Sequence, residues 1–317
     1  MAVGIAALAL VIGSVSLPAV IVLAVVAGLG YPALTGAWSA QLPHLVAPAR
    51  LRQAYSADAA TYSVAAVVAP PAATALIAIA PTAPLWLTVV LLLIAMVSLR
   101  FVPLRGHAAL SREVTLRADL VAGLHALLGI AALRRSTILT TVGFAGQASV
   151  FVAAPILAQR EGRGLEFTGV ILGTFAVGGL LSAAWFARRP VQRPDRAIII
   201  GTILSGLFLL AIGLAPTTLL LLVATFAMGA AEPPLIAGMF QVRVRESPPR
   251  LQAQVFSTSA SLRMTAFALA TAAAGWLLGW GLAWVIGLGV ALHLVALVIG
   301  LAVGPTLPQR RHWLDRG

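Results

Sequence analysis

"QLPHLVAPARLRQAYSADAATYS", residues 41 to 63, has a counterpart in "QVRVRESPPRLQAQVFSTSASLR", residues 241 to 263. Gln41, Pro48, Arg50 and Leu51 recur as Gln241, Pro248, Arg250 and Leu251 at an offset of 200, and Pro32 and Ser56 recur as Pro233 and Ser257 at 201. Both stretches are polar interruptions in a chain that is otherwise nearly all apolar. Identities of this kind are weak evidence in a chain rich in Ala and Leu. They gain weight from where the two stretches fall in the order of membrane spans.

Composition sets the class. Hydrophobic residues make up 60% of the 317 residues and charged ones 9%, with a mean hydropathy of +1.00. A soluble domain carries about 25% charged residues. Apolar runs near the ~20 residues that cross a bilayer recur along the whole length. The chain therefore reads as a polytopic membrane protein. Its spans must be helices, because lipid cannot satisfy backbone groups and no barrel-type alternation is present. There is no cysteine, so disulfides and thiolate metal sites are excluded. All 21 basic residues are arginine and the formal net charge is +12. Arginines gathered on cytoplasmic loops beside anionic lipid account for that charge, and nucleic acid is not an expected partner. The Ala-, Gly- and Arg-rich usage is that of a GC-rich bacterial genome, so the expected location is the bacterial cytoplasmic membrane.

Ten spans are read between polar or Pro/Gly breaks: Ala2–Val15, Pro18–Ala40, Ser56–Ala80, Leu85–Val102, Ser136–Ala158, Phe167–Ala187, Ala197–Leu214, Thr217–Phe240, Phe256–Leu278 and Leu282–Val303. Arginines occupy every second connection. They are Arg50 and Arg52, then Arg100 to Arg135, then Arg188, Arg189, Arg193 and Arg196, then Arg243, Arg245 and Arg250. The tail continues the series with Arg310, Arg311 and Arg316. The opposite connections are short and uncharged, except "QREGRGLEF" at 159–167. The positive-inside rule then places both termini in the cytoplasm. The first quoted stretch follows the second span and the second follows the eighth. A shift of six spans with preserved orientation is a parallel six-helix duplication. The expected organisation is an N-terminal half over 1–102, a cytoplasmic linker over 103–135 with an amphipathic helix at the membrane surface, and a six-helix half over 136–317.

"GAWSAQLPHLVAPARLRQA" (36–54) resembles the loop between the fourth and fifth helices of the major facilitator superfamily, in the bacterial branch that includes the enterobactin exporter and many drug exporters. "LRADLVAGLHALLGIAALRR" (116–135) is similar to that branch's central linker. The resemblance implies an all-α integral membrane fold of two six-helix halves. It also implies a secondary transporter that exports a small organic molecule, drug-like or siderophore-like, by proton antiport. On the family plan the ten spans are helices three to twelve. Helices one and two, and the Gly/Asp/Arg loop after them, are expected upstream of Met1, whose own span is only about 14 residues long against the ~20 needed. The competing expectation is a non-transporting fragment or membrane accessory protein of the same fold. Where antiporters of the family carry "GxxxGPxxGG", this chain has Ala65, Ala69, Pro70, Pro71, Ala72 and Ala73.

Nothing in the sequence assembles an enzyme site. The five histidines (His44, His107, His125, His293 and His312) include no pair on the i, i+4 face of a metal helix. No phosphate-binding glycine loop is present, and no cofactor is expected. The informative residues are ionisable groups inside spans, each costing roughly 2.5–3.5 kcal/mol at a helix centre. Glu232 and Arg263 lie ~10–12 Å deep in consecutive spans. They are either a static salt bridge or a site where Glu232 exchanges a proton, or meets a cationic substrate, while Arg263 tunes it. Pro233 and Pro234 follow Glu232, where backbone breaks suit a binding site. Gln147, Tyr31, Thr35 and Trp38 are further candidates to line a central cavity, and His293 is expected to pack between helices. Asp58, at the cytoplasmic start of its span, either complements the helix dipole or gates the cytoplasmic side with Arg188 or Arg189, as family pseudo-symmetry implies.

Overall fold

The computed structural model describes residues 2–11, 14–28, 80–101, 116–164 and 166–303, and between 41 and 76 it describes 41, 42, 45–51, 53–55, 57, 58, 61, 64, 65, 69, 72, 73 and 76. All regular structure among these residues is helical. The helices are α1 (Ala2–Val11), α2 (Leu17–Gly28), α3 (Ala83–Ser98), α4 (Leu116–Gly129), α5 (Ala131–Arg160), α6 (Glu166–Arg188), α7 (Pro194–Leu214), α8 (Thr218–Glu246), α9 (Gln252–Leu277) and α10 (Leu282–Ala302). The described residues between 51 and 76 are also helical. Among the described residues, seven helices are long and apolar enough to cross a membrane: α3 with the turn that follows it, and α5 to α10.

Two spans are longer than their apolar runs. Ser136–Ala158 becomes Ala131–Arg160, and Thr217–Phe240 becomes Thr218–Glu246. Hydropathy marks where lipid ends, whereas a helix continues until its last carbonyls find other partners. Thr217 starts α8 by accepting from the Leu220 amide at 3.3 Å. The helix stops at Ser247, which is extended ahead of Pro248 and Pro249. It runs unbroken through Pro233 and Pro234, although these remove the amide donors that the Gly229 and Ala230 carbonyls would otherwise receive.

The linker helix α4 buries part of its apolar surface against protein and leaves Val121, Leu124 and Leu128 exposed. It packs on α9, where Ala126 and Leu127 are buried with Leu133 and Val255. Arg134 closes its end, donating from Nη1 to the Leu128 carbonyl at 2.8 Å.

Among the long helices, α8 packs against both α6 and α7, α5 packs against α9 and α10, and α7 packs against α10. The largest core cluster joins Val150, Leu157, Ile171, Phe175, Leu209 and Met228 with neighbours from α10. Several helix crossings depend on glycine. A Cβ at Gly178 would collide with the Phe226 carbonyl on α8, and one at Gly229 with the Phe175 carbonyl on α6. Gly146 and Gly289 meet in the same way, each leaving room for the other's carbonyl oxygen 2.7 Å from where its Cβ would stand. Close approach of small residues is what drives helix association where lipid removes the hydrophobic incentive.

The charged loop on the arginine-poor side serves structure. Arg160 donates from Nη2 to the Ala215 carbonyl at 2.9 Å, and from Nη1 to the Gly213 carbonyl at 3.3 Å, capping α7. Thr218 donates to Glu161, and the Arg163 guanidinium lies 4.5 Å from the Phe167 ring. On the same side Trp276, Trp280 and Trp284 stack in sequence around the turn at Gly281 (φ 114°). All three are more than half exposed, as interfacial aromatics are.

Candidate functional site

The two similar stretches, 41–63 and 241–263, meet in space. Leu42 and Tyr55 from the first are buried in one cluster with Ile236, Met239, Phe240, Val242 and Phe256 from the second and its approach. Tyr55 stands at an offset of 201 from Phe256. Its ring lies 5.9 Å from Phe240, which in turn stacks on Phe256 at 5.7 Å. An apolar seal therefore joins the two parts of the chain on the arginine-rich side. Beneath it Arg243 is only 2% exposed, with its guanidinium 5.8 Å from the Phe256 ring. Its Nε and Nη2 have no hydrogen-bond partner among the described residues.

Deeper in the bundle, Glu232 of α8, Arg263 of α9 and Gln147 of α5 come together. Gln147 and Arg263 line the same cavity as the Glu232 carboxylate, and the Arg263 charge acts on it. The Arg263 guanidinium also covers the Phe144 ring at 4.3 Å and approaches Met239 Sδ at 3.8 Å from Nη1. These groups line a cavity of about 20 Å³ that Thr140, Thr202 and His293 also reach. Thr140 and Thr202 spend their hydroxyl protons on the Ser136 and Ile198 carbonyls of their own helices, so they present lone pairs to it. His293 is buried and bonds from Nδ1 to the Gly289 carbonyl of its own helix at 2.8 Å. The site thus offers donors from Arg263 and Gln147, and acceptors from Glu232 and the two threonines.

Of the residues singled out from sequence, Glu232, Arg263 and Gln147 are brought together. Tyr31, Thr35 and Trp38 lie outside the described residues. Asp58 is buried, three residues beyond Tyr55, and its charge acts on that phenol. Arg188 and Arg189 are exposed at the end of α6, the latter with its guanidinium 4.5 Å from the Trp185 ring. Among the described residues no ion pair joins either arginine to Asp58. Among the described residues on this side, Arg245 and Asp195 form an ion pair at 3.0 Å between α8 and α7. Sequence reading did not single out Thr140, Thr202, Tyr55 or Phe240. For the threonines, the one signal in the sequence was a hydroxyl inside an apolar run.

A bundle of membrane-length helices with ionisable side chains held between them has the architecture of a membrane transporter. The model of the Major Facilitator Superfamily matches residues 1–197, and the chain belongs to that family. In three dimensions it is similar to a bacterial homologue of the iron transporter ferroportin in an outward-facing state, with a TM-score of 0.70, 21% identity, and coverage of 95% of this chain and 80% of that one. It is also similar to the human organic anion transporter MFSD10 (TETRAN), with a TM-score of 0.69, 18% identity, and coverage of 96% and 75%. No curated protein sequence matches the chain. Family and fold are those of transporters rather than of enzymes.

Proposed function

We propose that the chain is a secondary active transporter that exports a small organic molecule across the bacterial cytoplasmic membrane by proton antiport. In this reading both termini are cytoplasmic, and the halves 1–102 and 136–317, joined by the linker 103–135, rock about a central site. The observation that supports it is the Glu232–Gln147–Arg263 cluster around its small cavity. A volume of about 20 Å³ accepts one water, whereas small-molecule pockets run to roughly 300–1,000 Å³. Glu232 therefore suits a proton delivered by water, and the organic substrate binds elsewhere between the halves. The two similar solved structures are described as a homologue of an iron transporter and as an organic anion transporter. Chemically unlike cargo is thus compatible with one fold, and the cargo here depends on cavity-lining side chains. The seal at Tyr55 and Phe240 is the cytoplasmic gate in its closed position.

The test is reconstitution in liposomes with ethidium as probe cargo and an imposed pH gradient. Wild type is expected to move ethidium against its gradient. Glu232→Gln is expected to lose the gradient-driven component and keep downhill equilibration. Glu232→Gln with Arg263→Gln is expected to restore protein yield without restoring coupling. Recovery of coupled transport in the double variant makes the pair a static bridge. Undiminished coupling in the single variant removes Glu232 from the mechanism. Absence of ethidium movement by wild type, with the protein folded, favours the accessory-protein reading.

A further inference from the structure

A second cavity lies outside this site, on the arginine-rich side of the bundle. It is a groove of about 1130 Å³ between α6 and α7, floored by α8. Its mouth carries Arg188, Arg189, Arg193 and Arg196, all exposed. Its floor is apolar, formed by Ile200, Leu204 and Phe208 on α7 and by Phe226, Ala230 and Pro234 on α8. The basic end and the apolar run are continuous. From Arg196 to Phe208 is twelve residues of helix, about 18 Å, which compares with the ~15 Å half-thickness of a bilayer's hydrocarbon core.

The charge balance at the mouth is one-sided. The acid within the same turn, Asp195, is held by Arg245 at 3.0 Å. None of the four mouth arginines forms an ion pair among the described residues. Four guanidinium groups within nine residues call for a multivalent anion, and planar forks match phosphate oxygens best. The apolar trough beneath them calls for a hydrocarbon chain rather than a free ion. We propose that this groove binds an anionic phospholipid from the leaflet that borders the arginine-bearing loops, with its phosphate among Arg188, Arg189, Arg193 and Arg196 and one acyl chain along Ile200, Leu204 and Phe208. Arg245 and Asp195 tie α8 to α7 beside the mouth, and the groove spans α6 to α7. An occupying lipid therefore bridges α6 and α7, which are joined at this end through α8.

The experiment is a titration of the purified full chain in detergent, read by native mass spectrometry. Phosphatidylglycerol is compared with phosphatidylcholine, and inorganic phosphate serves as the soluble arm. Phosphatidylglycerol is expected to bind at least about tenfold more tightly than phosphatidylcholine, since each arginine beside a membrane contributes roughly a factor of five. Arg193→Gln with Arg196→Gln is expected to erase the preference. Ala227→Phe, which fills the floor, is expected to weaken both lipids. Arg188→Gln with Arg189→Gln repeats the first test on the other side of the mouth, so if one double variant fails to fold, the other still decides the outcome. Equal binding of the two lipids, or an unchanged preference after both arginine pairs are removed, overturns the proposal. Binding of inorganic phosphate as tight as that of phosphatidylglycerol also overturns it, by making the site one for free anions.

Discussion

Arg243 shows what one residue can conceal. Its place in "QVRVRESPPR" reads as a loop arginine facing the cytoplasm, yet α8 continues past it and turns the side chain inward, where it is 2% exposed. Two guanidinium nitrogens lie buried without hydrogen-bond partners among the described residues, and the contact with Phe256 at 5.8 Å is at the edge of cation–π range. Each buried, unmade hydrogen bond costs about 1–3 kcal/mol. Arg243→Met keeps the length of the side chain and removes that cost, so thermal melting should show a gain of about 1–3 kcal/mol. Under the proposed gate transport should slow, because opening the seal returns the Arg243 guanidinium to water. A lower melting temperature in the variant would show that the charge has a favourable partner. Glu232 differs in how much the sequence reveals, since a carboxylate in an apolar run is visible at once. Gln147, which lines the same cavity, is 85 residues away, and only the packing of α5 against α8 connects them.

At the level of elements, the decisive feature is which glycines lie in crossings. Gly178 and Gly229 allow α6 and α8 to touch backbone to backbone. Gly173, one turn earlier on α6, has nothing within 4 Å of the position of a Cβ. Gly229→Ala should therefore force the helices apart and cost about 1–3 kcal/mol or more. Gly173→Ala should be neutral or slightly stabilising through its helix propensity. Melting of the two purified variants side by side checks this, and equal effects would remove the crossing as a determinant. The sequence shows 29 glycines and does not distinguish these two kinds, because both sit in equally apolar surroundings. The linker helix behaves alike. Its amphipathic pattern is plain, but whether Leu127 meets lipid or α9 depends on where α9 lies.

Across the whole molecule, charge and aromatic residues mark two faces. Arg188 to Arg196, Arg243 and Arg245 gather on one side. The stacked Trp276, Trp280 and Trp284, with the Arg160 cap on α7, belong to the other. The chain has no cysteine, so any cysteine introduced is the sole reactive thiol. Under the arginine alternation, Thr82→Cys should react with a membrane-impermeant maleimide on intact cells. Gln192→Cys should react only after permeabilisation. Labelling of both from outside would overturn the topology on which the proposed gate and lipid groove depend.

The all-helical membrane class and the positions of the long apolar helices were readable from residues alone, although not their exact ends, because the free energy of placing a residue in lipid is nearly local and sums along a run. Which faces meet was not readable. In a soluble helix a polar stripe marks the outside, but in lipid the outward and inward faces are equally apolar, so the rotation of each helix leaves little trace in composition. The assembly of Gln147 with Glu232 and Arg263, the contact of Tyr55 with Phe240, and the glycine crossing of α6 with α8 were therefore decided only when the helices packed.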